Sequence, residues 1–340
     1  MALIMSEEQE ALVEAVRGWL ADHTTLERAK AEDPILFALE DLAAPAALGL
    51  TGLLRDGGTH ADLALVAEEL GRAGSPLPLG QAALVCAALD ELGLAPALAD
   101  EIAEGRILAV PALPDPDGAP ITAEQGPDGS LVLRGTAPFV VGGASAALFL
   151  VAAVGPEGIP VLALVEALAQ RRTSIDLTRD IASVEFAATP VAAGRWHAAD
   201  HTPITDAVAL HLAADALGAA SRLLDMTVRY VKERRQFGRV IGGFQAVKHH
   251  CAGMALDVES SRELLRYAAE EPGDRVRVAS AVSYAKDACS RVAGMALQLH
   301  GGMGFTWEHD VHLFLRRVKA DELLGGTPRE HRERLVTLTV

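Results

Sequence analysis

An α+β fold that is mostly α, helical at both ends with a small β domain between, follows from three features of the sequence. Half of the 340 residues are apolar but only 4% are aromatic, so the core must be built mainly from Ala, Leu and Val, the composition of packed helices. Apolar residues recur at helical spacing up to about residue 105 and again after residue 205. Between these stretches lie short apolar runs separated by Gly, Pro and Asp, which read as strands and turns. At roughly 100 to 200 residues per domain the length suits two or three packed units. They are an N-terminal helical domain 1–106, a middle β domain 107–203 and a C-terminal four-helix-bundle domain 204–340.

The first element, residues 6–23, carries Glu7, Glu8 and Glu10 in its first turn, where carboxylates meet the positive end of the helix dipole. Those charges argue against a signal peptide, which needs a basic start and an apolar run. Leu63, Val66, Ala67 and Leu70 form one apolar face that ends at Gly71. In the β domain the apolar runs are 131–133, 139–141, 148–154 and 161–165, and Pro114-Asp115-Pro116-Asp117-Gly118 marks a tight surface turn. The helical period returns in 206–233, 244–270 and 274–300. Pro272-Gly273 divides the last two, and Asp274 is an N-cap candidate.

The net charge of -16 argues against a nucleic-acid partner, because phosphate binding needs clustered positive charge. Cys86, Cys251 and Cys289 stand far apart, so neither a metal site nor a disulfide framework is expected. A reducing cytoplasm is the expected setting. The apolar run 148–154 falls well short of the roughly 20 residues that span a bilayer, so no membrane partner is expected.

Two C-terminal stretches carry the chemistry. One is Tyr230-Val-Lys-Glu-Arg-Arg-Gln-Phe-Gly-Arg-Val-Ile-Gly-Gly-Phe-Gln245; the other is Gln298-Leu-His-Gly-Gly-Met-Gly-Phe-Thr-Trp-Glu308, followed by Gly325-Gly-Thr327. A dinucleotide pyrophosphate needs cationic forks and close backbone approach. Arg234 offers a bidentate fork, and Gly301-Gly302 admits the chain without a Cβ in the way. Gln236, Gln245 and Gln298 add amides, and Phe237 adds a ring for an adenine. Taken singly, each has an ordinary structural reading: an Arg capping carbonyls, or a Gly-Gly stopping a helix. The glycine cluster follows a helix and not a strand, so it is no Rossmann fingerprint.

Together and in this order the motifs resemble those of the acyl-CoA dehydrogenase family, and the helical, β, helical order extends the resemblance over nearly the whole chain. Glu68-Glu69-Leu70-Gly71-Arg72 is similar to a helix end of the same family. The resemblance implies FAD as cofactor, with Arg234, Gln236, Phe237, Gln245, Gln298, Gly301, Gly302 and Thr327 as its binding residues. It also implies an acyl-CoA substrate and an electron-transfer flavoprotein or similar acceptor.

The chain departs from that pattern where a base is required. Many members place a Glu immediately before the Gly-Thr of the last motif, but here the position is Gly325, which cannot take a proton. Others place it near the start of the first C-terminal helix, which falls at Val208 or Ala209. The nearest carboxylate there is Asp215, two turns on. His211 and Arg222 flank it along one stripe and could pair with it, a structural reading preferred to catalysis. The flavin-ring contacts are also depleted: 110–118 replaces a Thr-Glu-Pro and Gly-Ser-Asp loop, and Phe139-Val140-Val141 lacks the usual hydroxyl.

In the family the motifs that survive here largely reach a flavin held by the neighbouring subunit, and the pattern resembles the paired subunits of actinobacterial heterotetramers, to which Asp176-Leu-Thr-Arg179 and Phe305-Thr-Trp-Glu-His-Asp310 are also similar. The resemblance implies an α2β2 assembly with a homologous partner and a bulky, steroid-type acyl group. A homotetramer using Asp215, or a scaffold without catalysis, stays open.

Overall fold

The structure, a computed structural model, describes residues 5–24, 26–31, 37–116 and 118–340. Asp117 of the predicted turn lies outside the described residues. Helix α1 (Glu7–His23) starts at Ser6, where Ser6 Oγ accepts from the Gln9 N–H and Gln9 Oε1 accepts from the Ser6 N–H, both at 3.2 Å. This reciprocal capping satisfies two N–H groups that the helix leaves free. After α2 (Ala43–Ala47), Thr59 and Asp62 start α3 (His60–Ala73) in the same way. Leu63, Val66, Ala67 and Leu70 are buried, as their spacing predicts. Helices α4 (Leu79–Glu91) and α5 (Pro96–Ala103) complete this part.

The middle holds β1 (Ala109–Ala112), β2 (Thr122–Gln125), β3 (Leu131–Val141), β4 (Leu148–Val154), β5 (Pro160–Val165), β6 (Ala169–Arg171), β7 (Ile181–Val191) and β8 (Trp196–Ala198). Their order is β6-β7-β3-β2-β4-β5-β8, with β1 parallel to β4. The runs 131–133 and 139–141, read as separate strands, are one. Pairing of β3 with β7 shifts register after Leu133 and again between Ala137 and Val140, so Pro138 falls in an irregularity where its missing N–H breaks no ladder bond.

Helix α6 (Thr202–Glu233) begins earlier than the predicted 206, because Pro203 sits in the first turn, where no N–H is needed. A hairpin not anticipated from sequence follows, β9 (Arg235–Gln236) and β10 (Arg239–Val240). Its tip residues Phe237 and Gly238 have φ of 52° and 77°, the left-handed pair that a two-residue type I′ turn requires. Next come α7 (Gln245–Ala269) and α8 (Arg275–His300), and Asp274 caps α8 by accepting from the Val276 and Arg277 N–H groups. The fourth side of the bundle is made by the shorter α9 (Val311–Asp321), packed on α6 and α8, with α10 (Pro328–Thr339) along α8.

Helix α6 runs through the centre. A Cβ at Gly218 would stand 1.8 Å from Glu68 O, and one at Gly71 would stand 1.9 Å from Asp215 O. The α3–α6 crossing therefore depends on glycine at both positions. By length and composition α6 could cross a membrane, yet 89% of its most apolar window is buried inside the molecule. A count of uninterrupted apolar residues passes over it because His211 and Asp215 break the run.

Candidate functional site

A cavity of about 690 Å3 opens between the β domain, α6 and the α9–α10 turn. Pro111, Leu113 and Pro114 after β1, Phe139 and Val141 of β3, Val208 and Leu212 of α6, and Leu323 and Leu324 supply its apolar walls. The sequence-derived base positions, Gly325 and Val208, both lie on this wall. Gly325 has φ +68°, and a Cβ there would come within 3.2 Å of both Ala209 Cα and Leu212 Cδ1. A side chain at this position meets both a disfavoured backbone and a crowded neighbour.

The α9–α10 turn is held from behind. Lys286, fully buried, donates from Nζ to Leu324 O and Gly326 O, each at 2.6 Å. Burial draws its pKa down to about 8. His331 Nε2 lies 3.0 Å from Gly325 O. Burial, reinforced by Lys286, lowers the His331 pKa to about 4, so the ring is neutral at pH 7 and its Nε2–H donates to that carbonyl. Thr327 Oγ1 accepts from the Glu330 N–H, and the Thr327 N–H donates to Glu330 Oε2 at 2.5 Å. Glu330, His331 and Arg334 line the cavity but drew no attention in the sequence. The Thr327-Pro-Arg-Glu330 capping box was the signal that could have found the first of them.

Asp215 is buried and is not among the residues lining this cavity. Its partners are not His211 and Arg222 but Arg317, whose Nε and one terminal nitrogen donate to the two carboxylate oxygens at 2.7 Å each. Arg317 also donates to Ser75 O and Thr178 Oγ1. Arg179 stands 3.5 Å from Asp215 and donates to Asp176 and Asp321. The stripe reading fails because α6 is enclosed, so position 215 faces α9 and the 176–179 loop. Burial alone would raise the Asp215 pKa, but the two guanidiniums hold it well below the usual carboxylate range. Burial lowers the pKa of His211 to about 4, and among the described residues its Nδ1 has no hydrogen-bond partner.

The cofactor candidates gather elsewhere. Tyr230 stacks on His300 at 4.6 Å, bringing the C-terminal ends of α6 and α8 together. Around this end Arg234, Gln236, Phe237, Gln245, Gln298, Gly301 and Gly302 are all exposed, Phe237 by 91%. Phe237 and Phe244 meet edge to face, and Arg239 stacks on Phe244. Arg234, Arg235 and Arg239 have no carboxylate partner among the described residues. None of these residues lines the large cavity; Thr327, the eighth candidate, does.

Residues 205–337 match the acyl-CoA dehydrogenase C-terminal domain family. The acyl-CoA dehydrogenase IpdE2 of Mycolicibacterium smegmatis is 35% identical over 340 residues, covering 97% of this chain and 98% of its own. Among solved structures, a chain of the ChsE4-ChsE5 complex from Mycobacterium tuberculosis superposes with a TM-score of 0.90 at 26% identity, covering 99% of this chain and 98% of its own. A steroid ACAD variant, Tcur3481-Tcur3483, gives 0.88 at 28% identity, covering 98% and 97%. Identity along nearly the full length of a curated relative, on a fold with the same helical, β, helical order, establishes that the chain belongs to the acyl-CoA dehydrogenase family.

Proposed function

We propose that the chain is one subunit of a heteromeric, FAD-dependent acyl-CoA dehydrogenase, that it supplies no base of its own, and that it completes an FAD site held by a homologous partner in an α2β2 assembly. The observation that carries this reading is Gly325. The place where the family's base would stand has no side chain, a left-handed backbone and little room for a Cβ. Asp215 does not replace it, because its carboxylate is engaged by Arg317 away from the cavity.

The exposed end of the bundle fits the other half of the proposal. Unpaired guanidiniums suit a pyrophosphate, Gly301 and Gly302 permit close backbone approach, and Phe237 is free to pack on an adenine. Because these groups face outward, the flavin they serve is one shared with a neighbour. When bound, FAD supplies the hydride acceptor for α,β-dehydrogenation of the thioester. This chain's part is to hold the dinucleotide end, through Arg234, Gln236, Phe237, Gln245, Gln298, Gly301 and Gly302, while Thr327 orders the cavity turn. The names of the two solved relatives, a paired complex and a steroid ACAD, support a homologous partner and a bulky, steroid-derived acyl-CoA. Electrons would pass on to an electron-transfer flavoprotein or similar acceptor.

Flavin content and substrate-dependent bleaching test the proposal. The chain purified alone is expected to hold little flavin and to leave acyl-CoA unchanged, whereas co-expression with a homologous subunit yields a yellow, active complex. Turnover by the chain alone with one flavin per chain overturns the proposal.

A further inference from the structure

We infer that His300 is a positioning residue for the exposed cofactor surface: only as an uncharged ring does it lock the Gly301–Gly302 turn to the end of α6, so the chain's grip on a dinucleotide weakens in acid. The identity of that dinucleotide as FAD rests on the function proposed above.

His300 closes α8 and is 2% exposed, although the residues it joins lie on the surface. Its ring stacks on Tyr230 with the planes 24° apart, and the Tyr230 hydroxyl donates to His300 O at 3.4 Å. Tyr230 stands about one helical turn before Arg234. On the other side the chain turns at Gly301, φ +58°, and folds back over the same residue. A Cβ at Gly304 would stand 3.2 Å from His300 Cβ. His309 closes a further side, its ring edge-on at 4.9 Å. One imidazole thus ties the segment that carries Arg234 to the turn that carries Gly301 and Gly302.

Hydrogen bonding fixes which form of the ring fits. Nδ1 lies 2.8 Å from Ala296 O, and a carbonyl only accepts, so Nδ1 carries the hydrogen and Nε2 is a bare lone pair. Nε2 is buried and has no hydrogen-bond partner among the described residues. A second proton would therefore create, on a charged ring, a buried N–H with no acceptor. The titratable groups facing the ring are Tyr230 from α6 and His309 from the turn before α9. None of the described carboxylates pairs with it, and charge on His309 would oppose charge on His300. Burial accordingly lowers the His300 pKa from its ordinary 6.5. Acid relieves the conflict by driving the ring out towards water, which undoes the stack on Tyr230 and frees the turn. His300 needs no contact with the dinucleotide for this.

FAD binding by the complex of this chain with its homologous partner, at pH 7.5 and pH 5.5, tests the inference. Between these values the dissociation constant is expected to rise by up to about tenfold, the limit for one imidazole of ordinary pKa that charges only on release. His300→Phe keeps an aromatic ring on Tyr230 but cannot be charged. It is expected to hold FAD within about threefold of the natural complex at pH 7.5, and to lose less than about twofold more at pH 5.5. His300→Leu, which has no ring to stack, is expected to bind about two- to tenfold more weakly at pH 7.5. A pH response in His300→Phe equal to that of the natural complex, or a loss at pH 7.5 equal to that of His300→Leu, overturns the inference. Amide hydrogen exchange in the natural chain alone, corrected for the intrinsic effect of pH, gives a reading that needs neither flavin nor a variant that assembles. Protection across 301–306 is expected to fall at pH 5.5 while the interior of α8 keeps its own, and unchanged protection overturns the inference. A complex that binds no flavin at pH 7.5 sinks the proposed function and leaves the exchange reading to judge His300.

Discussion

Asp215 receives two hydrogen bonds from Arg317, and both residues are buried. Asp215→Asn removes the negative charge and leaves a guanidinium uncompensated in the interior, so a stability loss of about 3–5 kcal/mol is expected in denaturant unfolding. In folded, fully flavinated complex its turnover should change by less than about tenfold, against the roughly 10² to 10⁴ lost with a true base. Rapid-mixing measurement of flavin bleaching decides between them, and bleaching slowed about a hundredfold would move the base to Asp215.

The buried imidazoles of His211 and His331 predict a pH dependence. Both have a pKa of about 4 in the folded chain against an ordinary value of 6.5. Between these values the unfolded chain binds more protons than the folded one, so acid favours unfolding. Stability is complete above about pH 6.5 and falls as pH drops towards 4, by on the order of 3 kcal/mol per imidazole. For His211 the groups facing the ring include Asp215, Arg179 and Arg317, and the two arginines oppose its charging. Urea unfolding at pH 7 and pH 4.5 should show a smaller difference for His211→Gln than for the natural chain; an equal difference excludes His211 as a contributor.

At the scale of elements, the α3–α6 crossing and the β9–β10 hairpin make separate predictions. Gly218→Ala would set a methyl 1.8 Å from Glu68 O, and backbone cannot yield as a flexible side chain can. It should lower stability by at least about 1–3 kcal/mol in thermal unfolding. Gly294→Ala is the control: it lies in α8 with nothing within 4 Å of a Cβ, so a change between none and a gain of about 1 kcal/mol is expected. Equal losses would show that the close approach at Gly218 does not matter. At the far end of α6, Arg234→Ala should weaken flavin retention in the assembled complex by about 1.5–3 kcal/mol, and Gln298→Ala by about 1 kcal/mol. Unchanged flavin affinity in Arg234→Ala would remove this surface from the cofactor site.

At the scale of the whole molecule, the parts legible in the sequence were those encoded locally. The face of Leu63, Val66, Ala67 and Leu70, the Asp274 cap and the apolar run of β4 rest on spacings within a turn or along one strand, and all form as read. Gln245 and Gly301 belong to the motifs on which the family resemblance rests, and the family is the one that the full-length relatives show. What crossed long distances in the chain was not legible. Asp215 and Arg317 are 102 positions apart, and no local pattern joins them; the stripe with His211 and Arg222 was the only pairing that helical spacing could suggest. The single strand β3 likewise needed its partner β7 to carry it through Pro138. Tertiary structure alone decided that Gly325 turns left-handed against Ala209 and Leu212, with Lys286 and His331 pinning the carbonyls around it. It also decided that Thr327 stands in the cavity while the other seven cofactor candidates gather at the far end of α6. The physical reason is common to all of these: periodicity and capping act within a few residues, whereas burial, ion pairing and cavity shape depend on which distant segments meet when the core closes.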